Sequence, residues 1–415
     1  MVFWFRVAVL SASLVLSKSV LGIAVGDDLE GHYVERGTGL DGVVQVYFET
    51  DEGLGGWCTG SLLETGWHVL TAAHCLFESR AENVDIAFDG PQGRVFRRAV
   101  RQALHPNYVG GVEGAGRDYD IAVIELDEIA PDFADRYSLY TGTDELLQVA
   151  RKVGYGLAGV GWEAIVQSLD APRVVKSLAR DIGGDSSNDY EAASGFVDPE
   201  TEQPLDVPAE GVQVFGGDTN QNTDLESVES PMVPPPEGVS VTGINRIEVT
   251  GRVIEQINAI DPQDDFYPDT DWDAILITDF DSGLPKDDAG VYVDQPHLGY
   301  GADEAQTQPG DSGGPLFIQM QIAGVASAGD SVIIDGFSSD PDFRWNGSFG
   351  EINIFSRVSS SAGWITEQMN QPLAASASAA PTEASTADTM SRKLPAMPWP
   401  VLLALIAASG YFLRR

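Results

Sequence analysis

Three short stretches carry residue types that could hydrolyse an amide or ester by nucleophilic attack. His74 lies in WCTGSLLETGWHVLTAAHC (57–75), Asp120 in RDYDIAVIEL (117–126) and Ser312 in PGDSGGPLF (309–317). A serine hydroxyl is a weak nucleophile until a base takes its proton, and an imidazole base works best when a third group holds its tautomer. Taken singly, each residue has a plain explanation. A histidine after a strand is usually a satisfied core or surface residue, an aspartate before one is usually a turn residue, and a glycine-rich loop with a serine is usually only a loop. Together they supply a nucleophile, a base and an orienter.

The surrounding residues say what must position them. Alternating apolar residues around Trp67 to Leu70 predict a buried strand, with His74 at its end. Ile121 to Leu126 reads as a compact apolar strand with Asp120 at its entrance. Glycines on both sides of Ser312 allow a tight turn that exposes the hydroxyl and aims the N–H groups of Gly310 and Ser312 at one spot. Two such donors would form an oxyanion hole, where loss of one typically costs about 3 kcal/mol of transition-state stabilisation. The two cysteines, Cys58 and Cys75, are too few soft ligands for a metal site. In an exported protein a bond between them would close a short loop beside His74, stabilising it by about 3 kcal/mol in the chain-entropy model. His32, His68, His105 and His297 show no paired metal spacing and read as structural or surface residues.

The whole chain has 415 residues and a formal net charge of -39, from 63 Asp and Glu against 24 Lys and Arg. Such a surface repels nucleic acid and anionic lipid, so neither is an expected partner. The acidity reads as a solvated surface suited to a salty medium. The loop DPQDDFYPDTDWD (261–273) could offer oxygen ligands to a structural Ca²⁺, but it lacks the ligand order of an EF-hand and reads as solvated acid. Residues 1–24 read as a secretory signal peptide, with Arg6 before the apolar run Val7 to Leu16 and small residues near Ser19, Gly22 and Ala24. At the other end, an Ala/Ser/Thr-rich tract within 371–393 reads as a disordered linker. The apolar segment in 394–415, ending in Arg414 and Arg415, reads as a transmembrane or sorting segment that would tie the chain to the cell envelope. It resembles bacterial C-terminal sorting signals.

TAAHC, DIAVIEL and GDSGGP, in that order, resemble the signature segments of the chymotrypsin-like (trypsin-like) serine protease family. HPNY (105–108), VGYG (153–156), IAGVAS (322–327) and RVSSSAGWI (357–365) are lesser matches. The resemblance implies an all-β fold of two antiparallel six-stranded β-barrels with a C-terminal helix. Residues 25–140 would form the first barrel. Residues 141–370 would form the second, with a long acidic insertion at about 165–240. It implies a secreted or surface-attached serine endopeptidase that needs no cofactor and acts on protein or peptide substrates. Ser312 would attack, His74 would be the base and Asp120 its orienter, with Gly310 and Ser312 binding the oxyanion. Ser327, Ala328 and Gly329 would pair with substrate backbone, and Gln306 would fall at the base of the specificity pocket.

Two departures stand out. No IVGG-type segment is present to supply the amine that pairs with the aspartate before the nucleophile, here Asp311. Cleavage at the signal would leave Ile23 or Val25 first, and the spacing to that role reads as long. Gln306 lacks the charge that selects Lys or Arg, so an uncharged or small residue is expected before the scissile bond. The competing reading is a catalytically inert binding or adhesion module built on the same fold.

Overall fold

The computed structural model describes residues 23–50, 55–77, 79–109, 118–161, 236, 238–250, 271–283, 297–330 and 347–374, and strand segments at 179–181, 190–192, 333–334 and 337–338. The signal segment up to residue 22, most of the acidic insertion, residues 261–270 of the acidic loop and residues 375–415 lie outside the described residues. Among the described residues no helix is long and apolar enough to cross a membrane.

After the short strand β1 (Ala24–Val25), six strands form a closed antiparallel barrel: β2 (Val43–Thr50), β3 (Gly55–Leu62), β4 (His68–Thr71), β5 (Ser79–Gly90), β6 (Gly93–Leu104) and β7 (Ala122–Leu126), in the order β2-β3-β4-β7-β6-β5. Alternation drives it. Val84, Ile86 and Phe88 of β5 point inward and are fully buried, as are Val44 and Val46 of β2. Every residue of β4 and β7 is buried, including His68 and Glu125. Those two strands therefore hold their ends, where His74 and Asp120 follow or precede them, with little freedom.

The rest of the chain adds β8 (Val149–Gly154), β9 (Gly159–Val160), a hairpin of β10 (Ala179–Asp181) and β11 (Tyr190–Ala192), then β12 (Val241–Arg246), β13 (Val249–Thr250), β14 (Ile275–Asp279), β15 (Ala305–Gln306), β16 (Pro315–Ile318) and β17 (Gln321–Asp330). A second hairpin, β18 (Ile333–Ile334) with β19 (Phe337–Ser338), precedes β20 (Ile352–Arg357) and helix α1 (Val358–Met369). The main sheet runs β12-β8-β16-β17-β20-β14-β13. Its two outer members are separated in the chain only by Ile247 and Glu248. Ile247 N–H donates to Gln148 O at 3.0 Å on the β8 side, and Glu248 N–H donates to Ile277 O at 2.9 Å on the β14 side. The sheet thus curls back on itself through one bent segment, and with β12 and β13 counted as one strand it has the six strands expected. This pairing of barrels is the chymotrypsin-like architecture.

The barrels share a wall. The first core continues into Val153, Tyr155, Phe317, Ile322 and Val325 of the second half, while Leu276, Leu316, Ile318 and Phe355 fill the second barrel. Helix α1 closes the chain, burying Val358 and Ile365 and setting Trp364 edge-on against His105 at 4.8 Å. Arg357 at its N-cap would oppose the helix dipole. Glu145 offsets it, accepting from Arg357 Nε at 2.8 Å and from Ser359 Oγ at 2.7 Å. Beyond the helix, Arg101 Nη1 donates to Pro372 O at 3.2 Å, so the first residues of the linker tract lie against the first barrel.

Candidate active site

The structure brings His74 and Asp120 together in the cleft between the barrels. Asp120 is 1 % exposed and accepts three hydrogen bonds. His74 N–H donates to Oδ1 at 2.8 Å, His74 Nδ1–H to Oδ2 at 2.6 Å, and Ser327 Oγ–H to Oδ2 at 2.6 Å. Its own N–H donates to Ser356 Oγ at 2.9 Å. The Nδ1 bond fixes the tautomer that leaves Nε2 as an acceptor towards the cleft. The imidazole side chain is 36 % exposed, so the base is reachable. Burial by itself would lower the His74 pKa, but the charge of Asp120 and its hydrogen bond outweigh this and raise it. The preceding residue, Tyr119, has φ 55°, an uncommon backbone state for a non-glycine. Its ring stacks on His105 at 4.6 Å and its hydroxyl donates to Asp271 Oδ2 at 2.6 Å, which pins the entrance of β7.

Ser312 reaches the same cleft through its backbone. Its carbonyl accepts from Thr59 N at 2.8 Å, and Thr59 follows Cys58, which is disulfide-bonded to Cys75 beside His74. Next along, Gly313 (φ 81°) passes so close to the first barrel that a Cβ would lie 2.1 Å from Thr71 Oγ1 and 2.3 Å from Thr59 O. Only glycine lets the turn dock there. No hydrogen bond joins Ser312 Oγ to His74 Nε2 in this structure, and the recorded neighbour of Nε2 is Cys75 Sγ at 3.7 Å.

The amides of the turn are sorted by their carbonyls. Pro309 O accepts from Leu157 N at 2.8 Å, and Asp311 O accepts from Gly314 N at 2.7 Å. In a trans peptide the N–H points opposite to the C=O. The Gly310 and Ser312 N–H groups are thereby turned away from those partners, and neither is spent on a backbone bond, whereas those of Asp311, Gly313 and Gly314 are.

The side chain of Asp311 is buried beneath the turn. It accepts from Gly156 N at 2.6 Å and Gln308 N at 2.7 Å, and burial pushes its pKa up to about 7. Ile23 immediately precedes β1. It is fully buried, and the next residue, Ala24, pairs with Gln306 on one side and Gly159 on the other. One step further back, the chain runs between the stretches that lead to Gln308 and Gly156, the two donors to Asp311. A nearby cation is also present: Lys152 is fully buried, with burial pushing its pKa down to about 7. Its ammonium donates to Thr278 Oγ1 and Asn353 Oδ1, each at 2.8 Å, and to Ala305 O, rather than to Asp311.

Gln306 is fully buried on β15, its amide nitrogen held by Glu351 and its oxygen accepting from Gln308 Nε2 at 3.1 Å. Glu351 went unread in the sequence because no local pattern marks it. Its Oε1 accepts from Gly347 N at 3.0 Å and Ser348 N at 3.1 Å. Ser327 to Gly329 lie where β17 bulges against β20, the register shift falling between Ala326 and Ala328. That bulge turns Ser327 towards Asp120. Beyond Val325, β17 has no strand partner on its β16 side among the described residues. The other histidines have structural roles: His68 Nδ1 bonds Thr65 Oγ1 at 2.8 Å, His32 Nδ1 bonds Thr242 O at 2.9 Å, and His297 Nδ1 accepts from Gly299 N at 3.1 Å.

Residues 31–180 match the family described as Trypsin. Among solved structures, the chain is similar to neuropsin, a serine protease expressed in the limbic system of mouse brain, at 15 % identity and a TM-score of 0.41, covering 82 % of this chain and 98 % of that one. It is similar to HL collagenase at 15 % identity and a TM-score of 0.44, covering 83 % of this chain and all of the other. No curated protein matches the sequence.

Proposed function

We propose that the chain is a trypsin-like serine endopeptidase in which Ser312 attacks the scissile carbonyl, His74 takes and returns the proton, and Asp120 orients His74. The observation that carries this reading is the 2.6 Å contact from His74 Nδ1 to an Asp120 carboxylate that also accepts the Ser327 hydroxyl. Attack at the carbonyl would transfer the Ser312 proton to His74 Nε2. The negative oxygen would settle on the Gly310 and Ser312 N–H groups, and the protonated His74 would give its proton to the leaving amine. Water then repeats the sequence on the acyl-enzyme. Substrate backbone would add alongside Ser327, Ala328 and Gly329. We further propose export by residues 1–22, cleavage before Ile23 with its amine pairing Asp311, and retention at the cell envelope by the apolar segment within 394–415.

A fluorophosphonate probe tests the central claim. Labelling of the processed wild type, with none of Ser312→Ala, is the expected result. The competing reading is an inert binding or adhesion module on the same fold. Absence of labelling and of peptide cleavage in folded protein with a free Ile23 amine would establish that reading instead.

A further inference from the structure

Behind β15 lies a group of acids that the proposed chemistry does not use. Asp279 at the end of β14, Asp281 two residues on, and Glu304 just before β15 are 2 %, 1 % and 0 % exposed. One carboxylate oxygen from each lies within 4.8 Å of the others. Glu304 Oε2 accepts from Tyr300 N at 2.6 Å, but its Oε1 is buried and has no hydrogen-bond partner. Burial and the charge of Asp279 raise the Glu304 pKa well above the ordinary carboxylate value.

Two described cations, Lys152 and Arg246, feel the charge of Asp279. Lys152 feels Glu304 and Asp279, yet its three protons go to the neutral oxygens of Thr278, Ala305 and Asn353. Arg246 turns to Glu248, to which its Nε donates at 2.8 Å. Carboxylates this close and this dry cannot all ionise without a counter-charge among them.

We propose that Asp279, Asp281 and Glu304 hold one hard divalent cation, Ca²⁺ in preference to Mg²⁺, behind the strand that carries Gln306. Oxygens facing each other across a Ca²⁺ ion at about 2.4 Å each are about 4.8 Å apart, so three oxygens mutually inside that distance can share one ion. An all-carboxylate, buried set suits Ca²⁺, whereas Mg²⁺ keeps several waters and demands a tighter octahedron. The ion would bind β14 to β15 and so brace Ala305 and Gln306. The proposed ligands lie outside the acidic loop 261–273, and the proposal does not rest on the proposed peptidase activity.

The test uses the full chain stripped with EDTA, without any activity readout. Saturating CaCl₂ should raise the Tm of the wild type by roughly 5 °C or more, with a smaller rise in MgCl₂, and equilibrium dialysis with Ca²⁺ should find a saturable site. Glu304→Gln and Asp281→Asn should each lose most of that rise. If Glu304→Gln fails to fold, Asp281→Asn and the wild-type dialysis decide. No Ca²⁺ binding by the wild type, with Glu304→Gln more stable than it, would mean that a shared proton rather than a metal relieves the cluster. An equal Tm rise in wild type and both variants would place the ion elsewhere. Either result overturns the proposal.

Discussion

Three donors converge on the Asp120 carboxylate, and their placement determines what His74 can do. The imidazole must be neutral to accept the Ser312 proton, and it is protonated below its pKa. Because Asp120 raises that pKa, activity should already fall in acid at a pH above the ordinary histidine value of 6.5. Asp120→Asn removes the charge and leaves burial, which acts in the opposite direction. The acid limb of the kcat/KM profile should then move to lower pH while kcat drops on the order of 10⁴-fold, since the amide no longer enforces the right tautomer. A limb that stays in place would mean that another group titrates there. At this scale the sequence is most informative where the partners sit in short signatures, as with His74 and Asp120. It is silent on Ser356, Lys152 and Glu351. Asp120 meets Ser356 across 236 positions, and Gln306 meets Glu351 across 45, so no local spacing betrays either contact.

Among elements, the barrel strands act as rails that hold His74 and Asp120 near their ends. Cys58 on β3 and Cys75 beyond β4 are joined, closing a separation of 17 residues around the turn that leads to His74. Replacing both by serine should lower stability by about 3 kcal/mol, read as a lower denaturation midpoint. Because β4 remains buried along its whole length, probe labelling at Ser312 should survive in the folded fraction. Loss of labelling with full stability would show that the disulfide positions His74 rather than bracing the barrel. The strands themselves were readable where alternation is strong, as in β4 and β7. The closure of the second barrel was not. It depends on Ile247 and Glu248 bonding to opposite neighbours, and a bend within an apolar run looks the same in sequence as a straight strand. The buried polar residues of that barrel blurred its pattern further: Lys152 in β8 and Asn353 in β20 occupy positions that alternation assigns to apolar side chains.

Across the whole molecule, the first described residues meet the last signature. The chain carries a net charge of -39, yet the acid on which the proposed activity would depend is buried Asp311, not the surface. With only backbone donors, its pKa of about 7 lies above the ordinary value of 3.8. A group whose folded pKa is raised gives its full stabilisation below 3.8 and loses it as the pH climbs through about 7. An unprocessed chain should therefore lose stability over that interval. In the proposed pairing, the amine of a chain beginning at Ile23 would lower the Asp311 pKa and remove the loss. It should also fasten the turn whose amides serve the oxyanion. The free amine has an ordinary pKa of about 8, raised by such a partner, so probe labelling should fade only as the pH rises beyond that value. Comparing Tm against pH, and labelling against pH, for chains beginning at Ile23 and at Gly22 checks both consequences. If the two chains share the same profiles, the buried strand at Ala24–Val25 is structural and Asp311 draws its counter-charge from Lys152, in which case Lys152→Met should abolish labelling in both.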